Sequence, residues 1–157
     1  RVLFRSDCKT AMDITGNPTR RSAAQLLPAL PNLDFFLPSA YEAMDLSGRD
    51  SPGKAADYFH EKGVPVVAVK MGGQGALLSA GGKQEVFPAY EGPVVDTTGA
   101  GDAFVAGFLA AFSRGESLPG CVQIGNGAGA KCVERLGSSG TLPDYQELIS
   151  FTGLHRE

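Results

Sequence analysis

The residue types best suited to chemistry fall within one heptapeptide, Asp96-Thr97-Thr98-Gly99-Ala100-Gly101-Asp102. Two carboxylates flank two hydroxyls and a glycine-rich turn, and the apolar run Ala103–Phe112 follows directly. A turn that feeds a helix N-terminus presents unbonded N–H groups at the positive end of the helix dipole. That arrangement is an anion site, and phosphate suits it. Asp102 stands in the first helical turn and admits two readings. It is either a dipole-favoured carboxylate or a base facing a hydroxyl beside a bound phosphate. A phosphate at the same terminus would repel a carboxylate whose only task was capping.

Other segments imitate nucleotide motifs. Gly48–Ala55 nearly fits the Walker A pattern, but Ala55 lacks the hydroxyl that would hold magnesium and Pro52 removes a backbone donor. Ser51-Pro52 reads instead as an N-cap followed by proline at the first helical position. Gly125–Ala130 fits the dinucleotide fingerprint G-x-G-x-x-A, which needs a strand before it. Here Cys121, Ile124, Ala128 and Cys132 recur at helical spacing, so the segment reads as helix interior. Each glycine inside a helix costs about 1 kcal/mol. Something must therefore approach that face, either a neighbouring helix or a nucleotide. Ser39-Ala40-Tyr41-Glu42 has the S-x-x-E spacing of a capping box.

The elements that would position these residues alternate. The pattern predicts helices over Thr19–Leu30, Ser39–Leu46, Ser51–Lys62, Ala100–Arg114, Leu118–Leu136 and Pro143–Phe151. It predicts strands over Leu33–Leu37, Val64–Lys70, Ala76–Ser79, Lys83–Phe87 and Pro93–Asp96. The β-branched run at Val64–Lys70 suits a strand buried on both faces. Strands alternating with helices argue for an α/β fold with a mostly parallel sheet flanked by helices, in which ligands sit at the carboxyl ends of strands.

Composition bounds the function. The chain has 157 residues, 43% hydrophobic and 20% charged, which suits one globular domain rather than a disordered chain. The net charge of −3 gives no basic footprint, which excludes nucleic acid as an expected partner. The apolar run Ala103–Phe112 is about half of the roughly 20 residues a membrane span needs, so no membrane partner is expected. Cys8, Cys121 and Cys132 show no CxxC spacing, and His60 and His155 lie far apart, which argues against a zinc site. Cys121 and Cys132 read as core residues. The compartment reads as reducing, hence cytoplasmic. Glycine is the outlier: 21 residues, clustered rather than periodic.

The stretch DTTGAGDAFVAGFLAA (Asp96–Ala111) closely resembles the second signature of the ribokinase-like, PfkB-type carbohydrate kinases. LPSAYEA (Leu37–Ala43) resembles that family's N-x-x-E segment. VVAVKMGGQGALL (Val66–Leu78) resembles its nucleotide loop, and the helix around Asn126 resembles its adenine-side helix. The resemblance runs over most of Asp7–Leu148. Arg1–Ser6 resembles the translated end of a sequencing adapter and is set apart from the fold. Residues 7–157 are expected to form the C-terminal half of a kinase domain, a partial ribokinase-like fold.

The resemblance implies transfer of the γ-phosphate of ATP to a hydroxymethyl group of a small sugar. It makes Asp102 the catalytic base and Gly99, Ala100 and Gly101, with the N–H of Asp102, the anion hole. It places Glu42 as the carboxylate that holds Mg2+ through water. Ser39 stands where the family has asparagine, which shortens its reach toward phosphate. Lys70, Gly72 and Gly75 fall in the nucleotide loop; Lys70 either reaches a phosphate or caps the strand end in solvent. Asn126 would line the adenine pocket. Asp96, Thr98 and Thr141, with backbone oxygens near Cys132, Arg135 and Gly137, would hold a monovalent cation such as K+. A homodimer stays open. The alternatives are a nucleoside kinase of the same family, a non-catalytic sensor on the same fold, or a dinucleotide-binding domain with a strand before Gly125.

Overall fold

The computed structural model describes residues 8–16, 25–137 and 143–154. The described chain divides into two compact units. One runs to Met71 and includes Leu77–Glu85; the other joins Gly72–Ala76 to the residues from Val86 onward.

The first unit is built on a sheet in strand order β1-β2-β3-β4-β5. These strands are β1 (Ala11–Met12), β2 (Phe35–Phe36), β3 (Val66–Lys70), β4 (Ala76–Ala80) and β5 (Lys83–Phe87). β1 pairs with β2, and β2 with β3, in parallel register: Met12 lies opposite Phe36, and Phe36 opposite Val67. A two-residue turn closes β4 on β5, with Gly81 at φ 57° and Gly82 at φ 75°. That is the primed-turn geometry of an antiparallel hairpin. The five-residue link from β3 is too short for a crossover. β4 therefore runs against its neighbours and the sheet is mostly parallel.

Two helices cover this sheet, α1 (Ala40–Ser47) and α2 (Pro52–Glu61). Ser39 caps α1 and Gly48, at φ 67°, ends it. Ser51 caps α2 with Pro52 at its first position, so the Walker-like segment is a helix start. Phe36 meets Phe59 edge to face at 4.7 Å, within a core that includes Leu33, Val67, Val69 and Leu77. Each such phenylalanine, fully buried, is worth roughly 1.5–3 kcal/mol. His60 ties the end of α2 to β4 through Ser79 Oγ at 2.8 Å and to the approach to β3 through Val64 O at 2.7 Å.

The second unit holds α3 (Ala100–Ser113), α4 (Leu118–Val133) and α5 (Tyr145–Thr152). Gly125, Gly127 and Gly129 all lie inside α4, and the residues leading into Gly125 are helical from Leu118, not a strand, which removes the dinucleotide-domain alternative. A Cβ on Gly125 would stand 2.9 Å from the Phe104 ring, and one on Gly127 would stand 2.5 Å from Thr152 Cγ2. The glycines let α4 approach α3 and α5. At Gly125 and Gly127 a neighbouring helix lies against that face.

One expected strand does not form. Residues 93–96 are irregular. The N–H groups of Val95 and Asp96 both point to Val133 O, at 2.8 and 3.3 Å, so they follow the end of α4 instead of a ladder. Pro93 contributes no donor. The first half of the expected helix over Thr19–Leu30, residues 19–24, lies outside the described residues. Its described end is helical at residues 25–26 and then turns into a 3-10 turn at Leu30–Asn32.

Candidate functional site

The heptapeptide lies in the second unit. Gly99 takes φ 82° and is the N-cap of α3, and no side chain caps that terminus. The first i→i−4 bond of the helix is Ala103 N–H to Gly99 O, at 2.9 Å. Gly101 and Asp102 therefore present N–H groups ahead of the helical ladder. Ala100 does not, because its N–H donates to Thr97 O at 3.2 Å. This reduces the expected set of anion donors by one. The turn itself is braced by Asp96. Its Oδ1 accepts from Thr98 N–H and its Oδ2 from Gly137 N–H, both at 2.9 Å. These bonds, the Thr98 one first, hold the Asp96 carboxyl below its ordinary pKa.

Cys132 Sγ donates to Thr98 O at 3.6 Å. Burial first, then the charges of Asp96 and Asp102, push that thiol up. Burial pushes the Cys121 thiol up to about 11. Both cysteines are buried, as their helical spacing suggested. Asp96, Thr98, Cys132 and Gly137 are thus brought together, with the Gly137 N–H and the Cys132 thiol as donors. Thr141 lies outside the described residues.

The same unit holds the glycine loop. Gly75 has φ 91°, and a Cβ there would run into Phe87 O and stand 2.6 Å from Ala89 N. No other residue fits this approach. The Asn126 amide nitrogen donates to Phe87 O at 3.0 Å and to Pro88 O at 3.1 Å. The side chain is 8% exposed. Its amide nitrogen is thus committed to pinning the loop that packs on Gly75, and Oδ1 is the atom left for a ligand. Gly72, at φ 59°, has open space where a Cβ would be.

The first unit holds a second cluster. Ser39 and Glu42 complete a capping box: Glu42 N–H donates to Ser39 Oγ at 3.3 Å, and Ser39 N–H to Glu42 Oε2 at 2.9 Å. The Ser39 hydroxyl also donates to Oε2, at 2.6 Å. All of these bonds to the carboxylate fall on one oxygen, which leaves Oε1 outside the box. Glu42 is 7% exposed. A buried carboxylate with an oxygen to spare suits a hard cation that is otherwise ligated by water and phosphate oxygens.

Lys70 is neither in solvent nor free for phosphate. Its Nζ meets Asp13 Oδ2 at 2.5 Å, with the two side chains 12% and 17% exposed. Asp13 follows β1 and has no counterpart in the sequence reading. A partner 57 residues away leaves no local signal. Among the described residues no group of three or more His, Cys, Asp or Glu could hold a metal on its own, and no helix is long and apolar enough to cross a membrane.

The sequence matches the pfkB family carbohydrate kinase description over residues 5–144. It is 31% identical to a ribokinase of Haemophilus influenzae, over 91% of this chain and 48% of that protein. It is 36% identical to a 2-dehydro-3-deoxygluconokinase of Bacillus subtilis, over 78% of this chain and 38% of that protein. A protein from E. coli assigned as a ribokinase II, solved with ATP and Mg2+, superposes with TM-score 0.78 at 32% identity, over 86% of this chain and 44% of that one. A fructokinase of Vibrio cholerae, solved with fructose, ADP and a potassium ion, gives TM-score 0.79 at 26% identity, over 90% and 49%. The chain thus spans about half the length, or less, of the relatives it matches.

Proposed function

The chain belongs to the pfkB family of carbohydrate kinases, and from that premise we propose that it serves ATP-dependent transfer of the γ-phosphoryl group to a hydroxymethyl group of a sugar. The observation that carries this reading is the uncapped N-terminus of α3 with Asp102 in its first turn. Phosphoryl transfer asks mainly for positioning and charge neutralisation. The N–H groups of Gly99, Gly101 and Asp102 would neutralise the charge that develops on the transferring group. The acceptor oxygen bonds to the γ-phosphorus as the bond to the ADP oxygen breaks, and Asp102 takes the hydroxyl proton.

Other residues act as supports. Gly72, Gly75 and Asn126 would shape the nucleotide loop, with Asn126 Oδ1 facing the base. Glu42 would hold Mg2+ through water, and Ser39 fixes the rotamer of Glu42. Magnesium, when bound with ATP, would offset the charge of its phosphates. Asp96 and Thr98 would contribute to a K+ site next to the turn. The two relatives solved with ATP and Mg2+ and with ADP and potassium support these assignments.

The test is ADP release by the full-length gene product against a panel of sugars and nucleosides. Sugar-dependent release that falls by about 10² or more in Asp102→Asn is the expected result. An Asp102→Asn enzyme that releases ADP at the wild-type rate on a true substrate would overturn the role of Asp102. ATP binding without release on any acceptor would favour a sensor.

A further inference from the structure

We infer that Asp13 is a positioning residue that holds the Lys70 ammonium away from Glu42, leaving the Glu42 carboxylate without a side-chain cation on it and open to the metal that accompanies ATP. This rests on the reading of Glu42 as the magnesium-holding carboxylate. β1, β2 and β3 run parallel and in register, so their carboxyl ends lie along one edge. Asp13 follows β1 there. Ser39 bridges Lys70 across that edge, and Lys70 N–H donates to Pro38 O at 2.9 Å. Ser39 in turn holds Glu42 through its N–H and its hydroxyl.

Two carboxylates therefore stand along the edge that holds one ammonium, and Asp13 is the one paired with it. Burial, opposed by Lys70 and reinforced by the Glu42 charge, lifts the Asp13 carboxyl above its ordinary pKa. A buried ion pair returns little net stability, because desolvation offsets the attraction. Its value lies in where it puts charge. Lysine is a point charge on a flexible stem. Without Asp13, the carboxylate left in the cluster is Glu42. An ammonium paired there would repel a divalent cation.

The experiment measures, by calorimetry on the full-length gene product, the affinity for β,γ-imido-ATP with and without Mg2+; the ratio isolates the metal's share. Asp13→Asn is expected to lower the ratio about tenfold, the lower end of losses seen when groups behind metal ligands are removed. Asp13→Asn/Lys70→Met is expected to return it to the Lys70→Met value, and Asp13→Glu to keep it near wild type. A ratio that stays low in the double variant overturns the inference, since Asp13 would then act on the metal itself. An unchanged Asp13→Asn ratio beside a lowered Glu42→Gln ratio overturns it alone. An unchanged Glu42→Gln ratio overturns the reading of Glu42 and this inference with it. The double variant buries no unpaired charge. If Asp13→Asn fails to fold, comparing the double with Lys70→Met decides: equality supports the inference, and a tenfold deficit overturns it.

Discussion

Asp34 shows how a single carboxylate sets the cluster above it. Its Oδ2 accepts from Thr10 N–H at 2.8 Å and from the Thr10 hydroxyl at 3.1 Å, while Lys9 Nζ meets Oδ1 at 2.8 Å. These bonds fasten the start of β1, and β1 ends by presenting Asp13. The Lys9 bond first, then the Thr10 N–H, lower the Asp34 pKa from 3.8. The folded state then binds the proton less readily than the unfolded chain. The stabilisation is present above pH 3.8 and is lost as pH falls through the folded value. Thermal unfolding of Asp34→Asn against wild type is expected to show a deficit near neutral pH that closes on acidification below 3.8. A deficit that widens with acid would contradict this. Asp13 carries the opposite sign: its raised pKa means its contribution falls as pH rises above 3.8. Glu42 and Asp102 were legible because each sits in a local motif. Asp13 and Asp34 were not, because their partners are 57 and 24 residues away and no periodicity links them.

At the scale of elements, α4 tests whether glycine serves packing. Alanine at Gly125 would gain about 1 kcal/mol of helix propensity. It would also force a Cβ to 2.9 Å from the Phe104 ring and 3.0 Å from Phe104 O, and the carbonyl cannot give way cheaply. Overpacking of that kind costs about 1–3 kcal/mol, so the loss wins. At Gly129 the nearest atom is Ala100 O at 3.4 Å, an ordinary contact. Gly129→Ala is therefore expected to stabilise by about 0.5–1 kcal/mol, and Gly125→Ala to destabilise, as read by denaturant unfolding. Equal and favourable shifts would show that α3 and α4 are not in close contact at Gly125. Capping and periodicity gave away α1 to α4 in the sequence, and β5 to its ends. The expected strand over Pro93–Asp96 failed for a tertiary reason. Its β-branched pair, Val94 and Val95, is 67% and 59% exposed, and its donors found one carbonyl at the end of α4. Propensity cannot report a missing ladder.

At the scale of the molecule, the question is what selects the acceptor. The relatives include a ribokinase and a 2-dehydro-3-deoxygluconokinase, named for different acceptors, yet this chain resembles both to a similar degree over a similar stretch. A stretch that resembles enzymes with different acceptors to a similar degree carries no mark of that difference. What the matched stretch does contain is the Asp102 turn, the glycine loop and the Glu42 cluster, the parts the proposed mechanism assigns to phosphoryl transfer. Transfer and selection should therefore separate on grafting. Residues 8–154 would replace the matching stretch of the Haemophilus ribokinase and, separately, of the Bacillus 2-dehydro-3-deoxygluconokinase. The first chimera is expected to phosphorylate ribose and the second 2-dehydro-3-deoxygluconate. In both, Asp102→Asn is expected to lower turnover by about 10² or more. The same acceptor in both chimeras would move selection into this stretch. Turnover insensitive to Asp102 would remove it from the chemistry while leaving the fold assignment intact.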